Sequence, residues 1–292
     1  MDKVNFMSKP LPISVNISTF NEEGNIGYCI DCIVKNNPAE IIVIDAGSTD
    51  RTREIAESKG AKVVTVEKLG LAYQRSQGLL HSQQPFIAMV DAQDKIEPDC
   101  LQILLSELEE HGYHAIQAQT FARKLNTYWE KAYEFTTTLS INTPGPTNMV
   151  GRPCIYEANA IKDVGFDPFF SFGVGCEDVD ISIQFEEKGF KQGMGSGCVH
   201  RDHPSDFSTW WKKWIKYGRG DARIIHKYPH KRIAIRRHQL IGYPVERAWR
   251  AIKKGGVLYV PFFLLFGLVR FFSSLSEPKR IEQYLLERKN EE

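Results

Sequence analysis

Two carboxylates close the run Phe86-Ile-Ala-Met-Val-Asp-Ala-Gln-Asp94, whose apolar part has the length of a strand. In an open α/β sheet, ligands bind outside the carboxyl ends of the strands, so acids placed there face a crevice and not the core. Asp91 and Asp94 are therefore candidates for holding a metal ion or handling phosphate. Taken alone, the segment suits equally a turn that Asp91 caps, with Asp94 solvated. A second strand end weighs on the choice: Ile41 to Ile44 is a continuous apolar run, the mark of a strand covered on both faces, and it leads straight into Asp45-Ala-Gly-Ser-Thr-Asp50. Ser48 or Thr49 can cap the helix that follows, whose amide-rich N-terminus favours anions. A third group, Glu177 and Asp178, opens a helix marked by Ile181, Ile183 and Phe185, and Gly173 and Gly175 before it let the backbone approach a ligand closely. Helix-dipole stabilisation explains acids at that position but not the flanking glycines. Together these spacings describe an acidic, phosphate-compatible crevice.

The elements that must position these acids alternate in kind. Pro12 to Thr19 has period two and reads as a first strand, Phe20-Asn-Glu-Glu-Gly24 as a polar turn, and Ile26, Cys29, Ile30, Ile33 and Val34 recur at helical spacing. Val63 to Val66 predicts a third strand, Leu71 to Leu80 a helix, Phe86 to Val90 the fourth strand, Pro98 to Leu108 a helix, Ala115 to Thr120 another strand and Asn126 to Ile141 an aromatic-rich helix. Strands alternating with helices at this spacing indicate βαβ units and a mostly parallel sheet. Pro144 to Pro153 is dense in breakers and too long for a simple turn, as functional loops often are.

At 292 residues, one large domain plus an appendage is the natural expectation. The formal net charge of +1 conceals an asymmetry: residues 1–207 carry 18 Lys and Arg against 29 Asp and Glu, residues 208–256 carry 14 against 2, and residues 257–292 carry 5 against 5. A basic block after an acidic body suits anionic lipid headgroups or phosphates. The first ten residues lack the apolar core of a signal peptide, which makes a cytoplasmic chain the expectation. The six cysteines then read as reduced thiols, with the Cys29-x-x-Cys32 pair inside a helical pattern as core packing.

The segments P-I-S-V-N-I-S-T-F-N-E-E, I-I-V-I-D-A-G-S-T-D-R-T, F-I-A-M-V-D-A-Q-D and G-V-G-C-E-D-V-D-I-S resemble, in order, the motifs of family 2 glycosyltransferases, over roughly residues 11 to 205. The resemblance implies an α/β fold of the GT-A kind, a Rossmann-like mostly parallel sheet flanked by helices. It implies that Thr19, Asn21, Glu22, Asp45, Arg75, Asp91, Ala92 and Gln93 line the nucleotide-sugar site, with Asp45 accepting a hydrogen bond from the base edge and Arg75 near the diphosphate. Asp178, beside Glu177, would be the base of an inverting transfer, and Asn148 and Arg152 would face the acceptor. The family's metal motif is commonly Asp-x-Asp, and here Gln93 stands where the second acid is usual. An amide oxygen can ligate a hard cation without supplying charge, so Mn2+ or Mg2+ remains the implied cofactor, held by Asp91, with Asp94 and His200 supplementing the missing acid. The nearest rivals are a non-catalytic nucleotide-sugar-binding scaffold and a sugar nucleotidyltransferase; the acidic turn after the first strand speaks against the latter.

From Asp206 the pattern changes. Phe207, Trp210, Trp211, Trp214 and Tyr217 follow helical spacing, with Lys212, Lys216, Arg219 and Arg223 on another face. A basic helix with bulky aromatics opposite reads as lying in a membrane interface, or alternatively as packing on the core while its cations clamp the diphosphate. Val257 to Val269 is uncharged and falls short of the roughly 20 residues a spanning helix needs, with Pro261 inside it; residues 256–272 are expected to lie in the plane of the membrane, or to span it marginally. No Gln-x-x-Arg-Trp motif of the family's processive synthases occurs, which favours transfer of one sugar. The expected organisation is a transferase domain over residues 1–205 and a membrane-associating tail over 206–292, at the cytoplasmic face of a membrane. The expected partners are a UDP- or GDP-sugar, a lipid-linked or saccharide acceptor and an anionic lipid surface, with no nucleic acid.

Overall fold

The computed structural model describes residues 9–67, 70–140, 142–171 and 173–291. The chain runs β1 (Leu11–Thr19), α1 (Ile26–Val34), β2 (Pro38–Asp45), α2 (Thr52–Ser58), β3 (Lys62–Thr65), α3 (Leu71–His81), β4 (Phe86–Asp91), β5 (Lys95–Ile96), α4 (Cys100–His111), β6 (Ala115–Ala122), α5 (Tyr128–Ser140), β7 (Gly145–Thr147), β8 (Cys154–Glu157), α6 (Ala158–Val164), α7 (Glu177–Glu187) and β9 (Gln192–Arg201). The remainder is helical: α8 (Phe207–Lys227), α9 (Arg232–Arg237) continuing into a π-helical stretch (His238–Arg247), α10 (Ala248–Lys253), α11 (Val260–Leu275) and α12 (Pro278–Glu291).

One nine-stranded sheet has the order β3-β2-β1-β4-β8-β6-β9-β5, with β7 paired to β9. β1 to β4 are parallel, β4 pairs antiparallel with β8, and β6 pairs parallel with β9. Asp91 stands opposite Ser18 and Asp45 opposite Thr19, so the two expected acidic strand ends share one edge on either side of β1. The period-two pattern of β1 does not mean a solvated face. Ser14 and Asn16 are buried, and the Asn16 amide donates to Ser82 Oγ at 2.9 Å, because α3 covers that side of the sheet.

Apolar side chains fill both faces. Ile13, Val15 and Ile17 pack with Ile30, Leu101 and Leu104 on one side, and Ile87 and Met89 pack with Leu79, Ile161 and Phe185 on the other. Ala222 and Ile224 of α8 belong to that second layer. At the expected change of pattern, the Asp206 side chain accepts from Thr209 N at 2.9 Å and caps α8.

The tail corrects one expectation. Trp210 and Trp214 are fully buried, in a cluster with Ala132 of α5 and Phe262, Phe263 and Phe266 of α11, so this part of the aromatic face of α8 is core, while Phe207 and Trp211 remain exposed. Buried ion pairs lock this packing. Arg270 of α11 forks onto Asp221 of α8 through Nε at 2.9 Å and Nη2 at 2.5 Å, and Arg223 of α8 reaches Glu277 at 3.2 Å. The helices approach closely at Gly218, where a Cβ would lie 1.9 Å from Ser273 Oγ. The segment Val257–Leu275 is long and apolar enough to cross a membrane by length and composition, yet one side of it is committed to this interior. Its other side, Leu264, Leu265, Leu268, Phe272 and Leu275, is exposed.

Candidate active site

The sheet order brings three segments, distant in sequence, to the end of β4. Asp91 is delivered by β4, Arg152 by the loop between β7 and β8, and Glu177 and Asp178 by the first turn of α7. Arg152 Nη1 donates to Asp91 Oδ1 at 2.7 Å and to Oδ2 at 2.9 Å, while its Nη2 lies 3.5 Å from Glu177 Oε1. Arg75 of α3 joins the same two acids, at 2.8 Å from Glu177 Oε1 and 3.3 Å from Asp91 Oδ1. Arg201, closing β9, sits 2.7 Å from Asp94 Oδ1, and Asp94 Oδ2 accepts the backbone N–H of Asp91 at 3.0 Å. The outcome is a lattice of guanidinium and carboxylate groups beside Asp178.

The electrostatics separate the acids into two kinds. Burial works against ionisation of Asp91, but Arg152, Arg75 and Arg201 overcome it and hold its carboxyl well below the usual range. Burial likewise opposes ionisation of Glu177, and Arg152 and Arg75 again prevail. Asp178 goes the other way: burial and the adjacent Glu177 charge raise it, and the two arginines offset this only in part. It is partly exposed, and one oxygen accepts the N–H of Val179 at 2.9 Å. Asp178 is thus the acid of the pair suited to accept a proton, and Glu177 is occupied by the arginines. Asp94 is also raised, by burial first, with the charge of Asp91 adding to it and Arg201 opposing.

The loops after β1 and β2, where the resemblance places the nucleotide, fasten to each other. Asn21 N donates to Ser48 Oγ at 2.8 Å, Thr49 N to Asn21 Oδ1 at 2.9 Å, and Glu22 N to Thr52 Oγ1 at 2.8 Å. Asn21 holds a left-handed φ of 54°, which its short polar side chain tolerates. Thr19 is buried, and Thr19 Oγ1 and Ser48 Oγ donate to one oxygen of Asp45, at 3.1 and 2.5 Å; the backbone N–H groups of Gly47 and Ser48 donate to the other, at 3.1 and 2.8 Å. The base-edge contact expected of Asp45 therefore meets a fully buried carboxylate whose acceptor positions are taken by its own turn. Ala92 is buried and Gln93 exposed, its amide donating to Glu22 Oε1 at 3.1 Å.

The expected metal set is not brought together. Asp91 has both oxygens on Arg152, and Asp94 faces Arg201 at 1% exposure. His200 lies within β9, paired with Lys95 of β5, and its Nε2 is 2.6 Å from Glu97 Oε1. Among the described residues no three His, Cys, Asp or Glu side chains form a metal-binding group. The donor set does not fit a divalent ion at Asp91, whose lone pairs guanidinium groups occupy, while Asp94 Oδ1, 2.7 Å from Arg201 Nη2, accepts no hydrogen bond.

Sequence reasoning missed Arg201, and it placed Arg152 on the acceptor side without its ion pairs. It also missed Lys213 of α8, whose amine lies 5.1 Å from the Trp210 ring and 5.4 Å from that of Tyr133. Burial, then Arg201 and Arg152, pull this lysine down to about 8. Asn148 is placed beside a cleft of about 610 Å³ with Lys191 and Gln192, not among the acids of the site.

Comparison with known proteins identifies the family and the fold. The family model described as glycosyl transferase family 2 matches residues 14–161, just over half of the chain. A 4,4'-diaponeurosporenoate glycosyltransferase of Staphylococcus aureus is 24% identical over 245 residues, covering 75% of this chain and 64% of that protein. Glycosyltransferase AglJ of Haloferax volcanii is 32% identical over 117 residues, or 40% and 38% of the two chains. The chain thus spans less than two thirds of the length of these relatives. Among solved structures, S. aureus TarS 1–349 in complex with UDP-GlcNAc superposes with a TM-score of 0.57 at 17% identity, over 94% of this chain and 83% of that one. Glucosyl-3-phosphoglycerate synthase of Mycobacterium tuberculosis, in complex with Mn2+, UDP and glucosyl-3-phosphoglycerate, superposes with a TM-score of 0.55 at 19% identity, over 73% and 78%. These likenesses establish the GT-A fold.

Proposed function

The chain belongs to glycosyl transferase family 2, and from that premise we propose that it moves a single sugar from a UDP- or GDP-sugar to an acceptor hydroxyl with inversion at the anomeric carbon. The observation that carries this reading is the meeting of Asp178 with the Arg75–Arg152–Asp91–Glu177 lattice at the carboxyl edge of β4. The acceptor oxygen forms its bond to the anomeric carbon while Asp178 takes the hydroxyl proton. The bond from that carbon to the diphosphate oxygen breaks, and its electron pair leaves with the nucleoside diphosphate. The arginines stabilise the developing charge, which fixed donors do well in a partly desolvated site. Mn2+ accompanies UDP in the synthase complex; the donor set here does not fit such an ion, and no step above runs through one.

In this reading the acceptor is lipid-linked and the enzyme lies on an anionic membrane. The support is the exposed side of α11 and its neighbours. Leu264, Leu265, Leu268 and Phe272 continue into Val257, Leu258, Ile252 and Trp249, beside exposed Arg250, Lys253 and Lys254. Apolar area flanked by cations suits an interface with acidic headgroups. The inward side of α11, with Arg270 on Asp221, favours an in-plane position over a span.

Release of nucleoside diphosphate from UDP- and GDP-sugars, with and without a membrane lipid extract as acceptor, tests the reaction. Donor binding without release under any condition would instead identify a nucleotide-sugar-binding scaffold, the reading that Gln93 favours. Sedimentation with phosphatidylglycerol vesicles, reduced in Leu264→Glu/Leu268→Glu, tests the surface; equal sedimentation with phosphatidylcholine would refute the charge argument.

A further inference from the structure

Asp91 and Asp94, the acids expected to hold an ion, instead face Arg75, Arg152 and Arg201. We infer that in this chain Arg152 and Arg201, supported by Lys213, supply the positive charge for the diphosphate that a divalent cation supplies elsewhere, so that nucleotide binding is independent of metal. The inference rests on the reading of the site as a nucleotide-sugar site and goes beyond it by assigning the charge.

Three observations converge. The first is the residue at position 93, an amide exposed to solvent and donating to Glu22, so the second acid of the usual motif is lost in identity and in direction. The second is the disposition of Arg152. Its Nη1 is anchored to both oxygens of Asp91 and its Nη2 lies near Glu177, which fixes the guanidinium plane. Its Nε has no hydrogen-bond partner, and the same is true of Arg201 Nε. Each group therefore keeps one buried donor that nothing in the chain satisfies, and charged guanidinium donors match phosphate oxygens. The third is Lys213 of α8, whose amine lies 5.1 Å from the Trp210 ring, 5.4 Å from that of Tyr133 and 5.9 Å from that of Tyr217, and whose charge burial, then Arg201 and Arg152, disfavour. A cation crowded by cations is relieved by a bound anion. Asp91 and Glu177 then act as positioning residues that hold Arg152 and Arg75.

In the transfer step the electron pair of the broken carbon–oxygen bond comes to rest on a diphosphate oxygen, and these guanidinium and ammonium groups neutralise it. No co-reactant beyond donor and acceptor is needed.

The test is calorimetric titration of UDP and of GDP into the full chain in EDTA, then in Mg2+ and in Mn2+. The expected result is an affinity in EDTA within about threefold of that with either metal for whichever nucleotide binds, lowered about tenfold or more by Arg152→Gln and by Arg201→Gln (charge-assisted hydrogen bonds being the strong ones). Arg152→Lys should recover only part of the loss, since the ammonium lacks the fork. An affinity in EDTA ten times or more below that in metal would overturn the inference while leaving the glycosyl-transfer reading intact. Because this comparison uses the unaltered chain, it stands even if a variant fails to fold. Absence of UDP and GDP binding in every buffer would overturn both.

Discussion

Replacing Asp178 by Asn removes a proton acceptor while keeping the shape of the side chain. Glu177 cannot stand in for it, because Arg75 at 2.8 Å and Arg152 at 3.5 Å hold its carboxylate in the ionised, hydrogen-bonded state. The loss should therefore be the full contribution of a positioned base, about 100- to 10,000-fold in kcat, or roughly 3–5 kcal/mol of transition-state stabilisation. Donor KM should hardly change, since the nucleotide loops and the arginines are untouched. The pH profile gives a second readout. Burial and the Glu177 charge raise the folded-state pKa of Asp178, so its charged form carries a folding cost that is present above that pKa and fades as the pH falls through it. The acid limb of kcat/KM should accordingly lie above the range of an ordinary aspartate, and Asp178→Asn, which has no charge to bury, should melt no lower than the parent at pH 7 to 8. Steady-state kinetics of nucleoside diphosphate release and a thermal melt read both. Full turnover in Asp178→Asn, or a marked fall in its melting temperature, would refute the assignment.

Other positions separate structure from catalysis. Arg270→Met leaves Asp221 buried without its fork and should cost about 3–5 kcal/mol by denaturant titration; Asp221→Asn in the same chain should return part of that, and additive losses would contradict the pairing. Gly218→Ala places a methyl 1.9 Å from Ser273 Oγ and 2.4 Å from the Arg270 carbonyl, so α8 and α11 must separate, at about 1–3 kcal/mol or more; an unchanged melting temperature would show that this helix contact is not held in solution. Arg75→Met should destabilise by a similar 3–5 kcal/mol or so, because two acids lose a buried partner, and the loss should shrink at low pH as those acids take up protons.

The parts of the fold legible in sequence were those whose cause is local. A short apolar run rich in Ile and Val, bounded by turn residues and too short for a helix, reads as a strand covered on both faces, and β2 and β4 carry Asp45 and Asp91 at their ends as that reading expects. Glu177 and Asp178 likewise open α7, and the close approach at Gly175 is that of the Tyr217 ring of α8, 3.2 Å from where a Cβ would lie. What escaped depended on pairing between distant segments. Arg152 and Arg201 reach the acids because β8 lies antiparallel beside β4 and β9 lies beyond β6, an order that no local spacing encodes. Asp45 is an instructive middle case. Its place at a strand end was visible, and so was the Gly-Ser that follows it, but the turn hydrogen bonds those residues form consume the carboxylate.

The basic block of residues 208–256 makes the same point for charge. A count of 14 cations against 2 acids has magnitude but no direction. The fold sends part of it inward: Lys213 to the site, Arg223 to Glu277, and Lys227 to Asp167 and Asp180. Another part, Arg250, Lys253 and Lys254, faces solvent beside Trp249 and Ile252. Periodicity likewise reports that α8 has an aromatic face without saying what covers it; the cover comes from α5 and α11, which precede and follow it in the chain. The apolar surface left for a membrane is consequently the outward side of α11, the element whose sequence looked most like a span. Because its inward side is fixed by Phe262, Phe263 and the Arg270–Asp221 pair, leaving the protein body to cross a bilayer would expose that ion pair to lipid. In the proposed reading, an in-plane position keeps both sides satisfied, with the Arg270–Asp221 pair inside the protein and the exposed leucines against lipid.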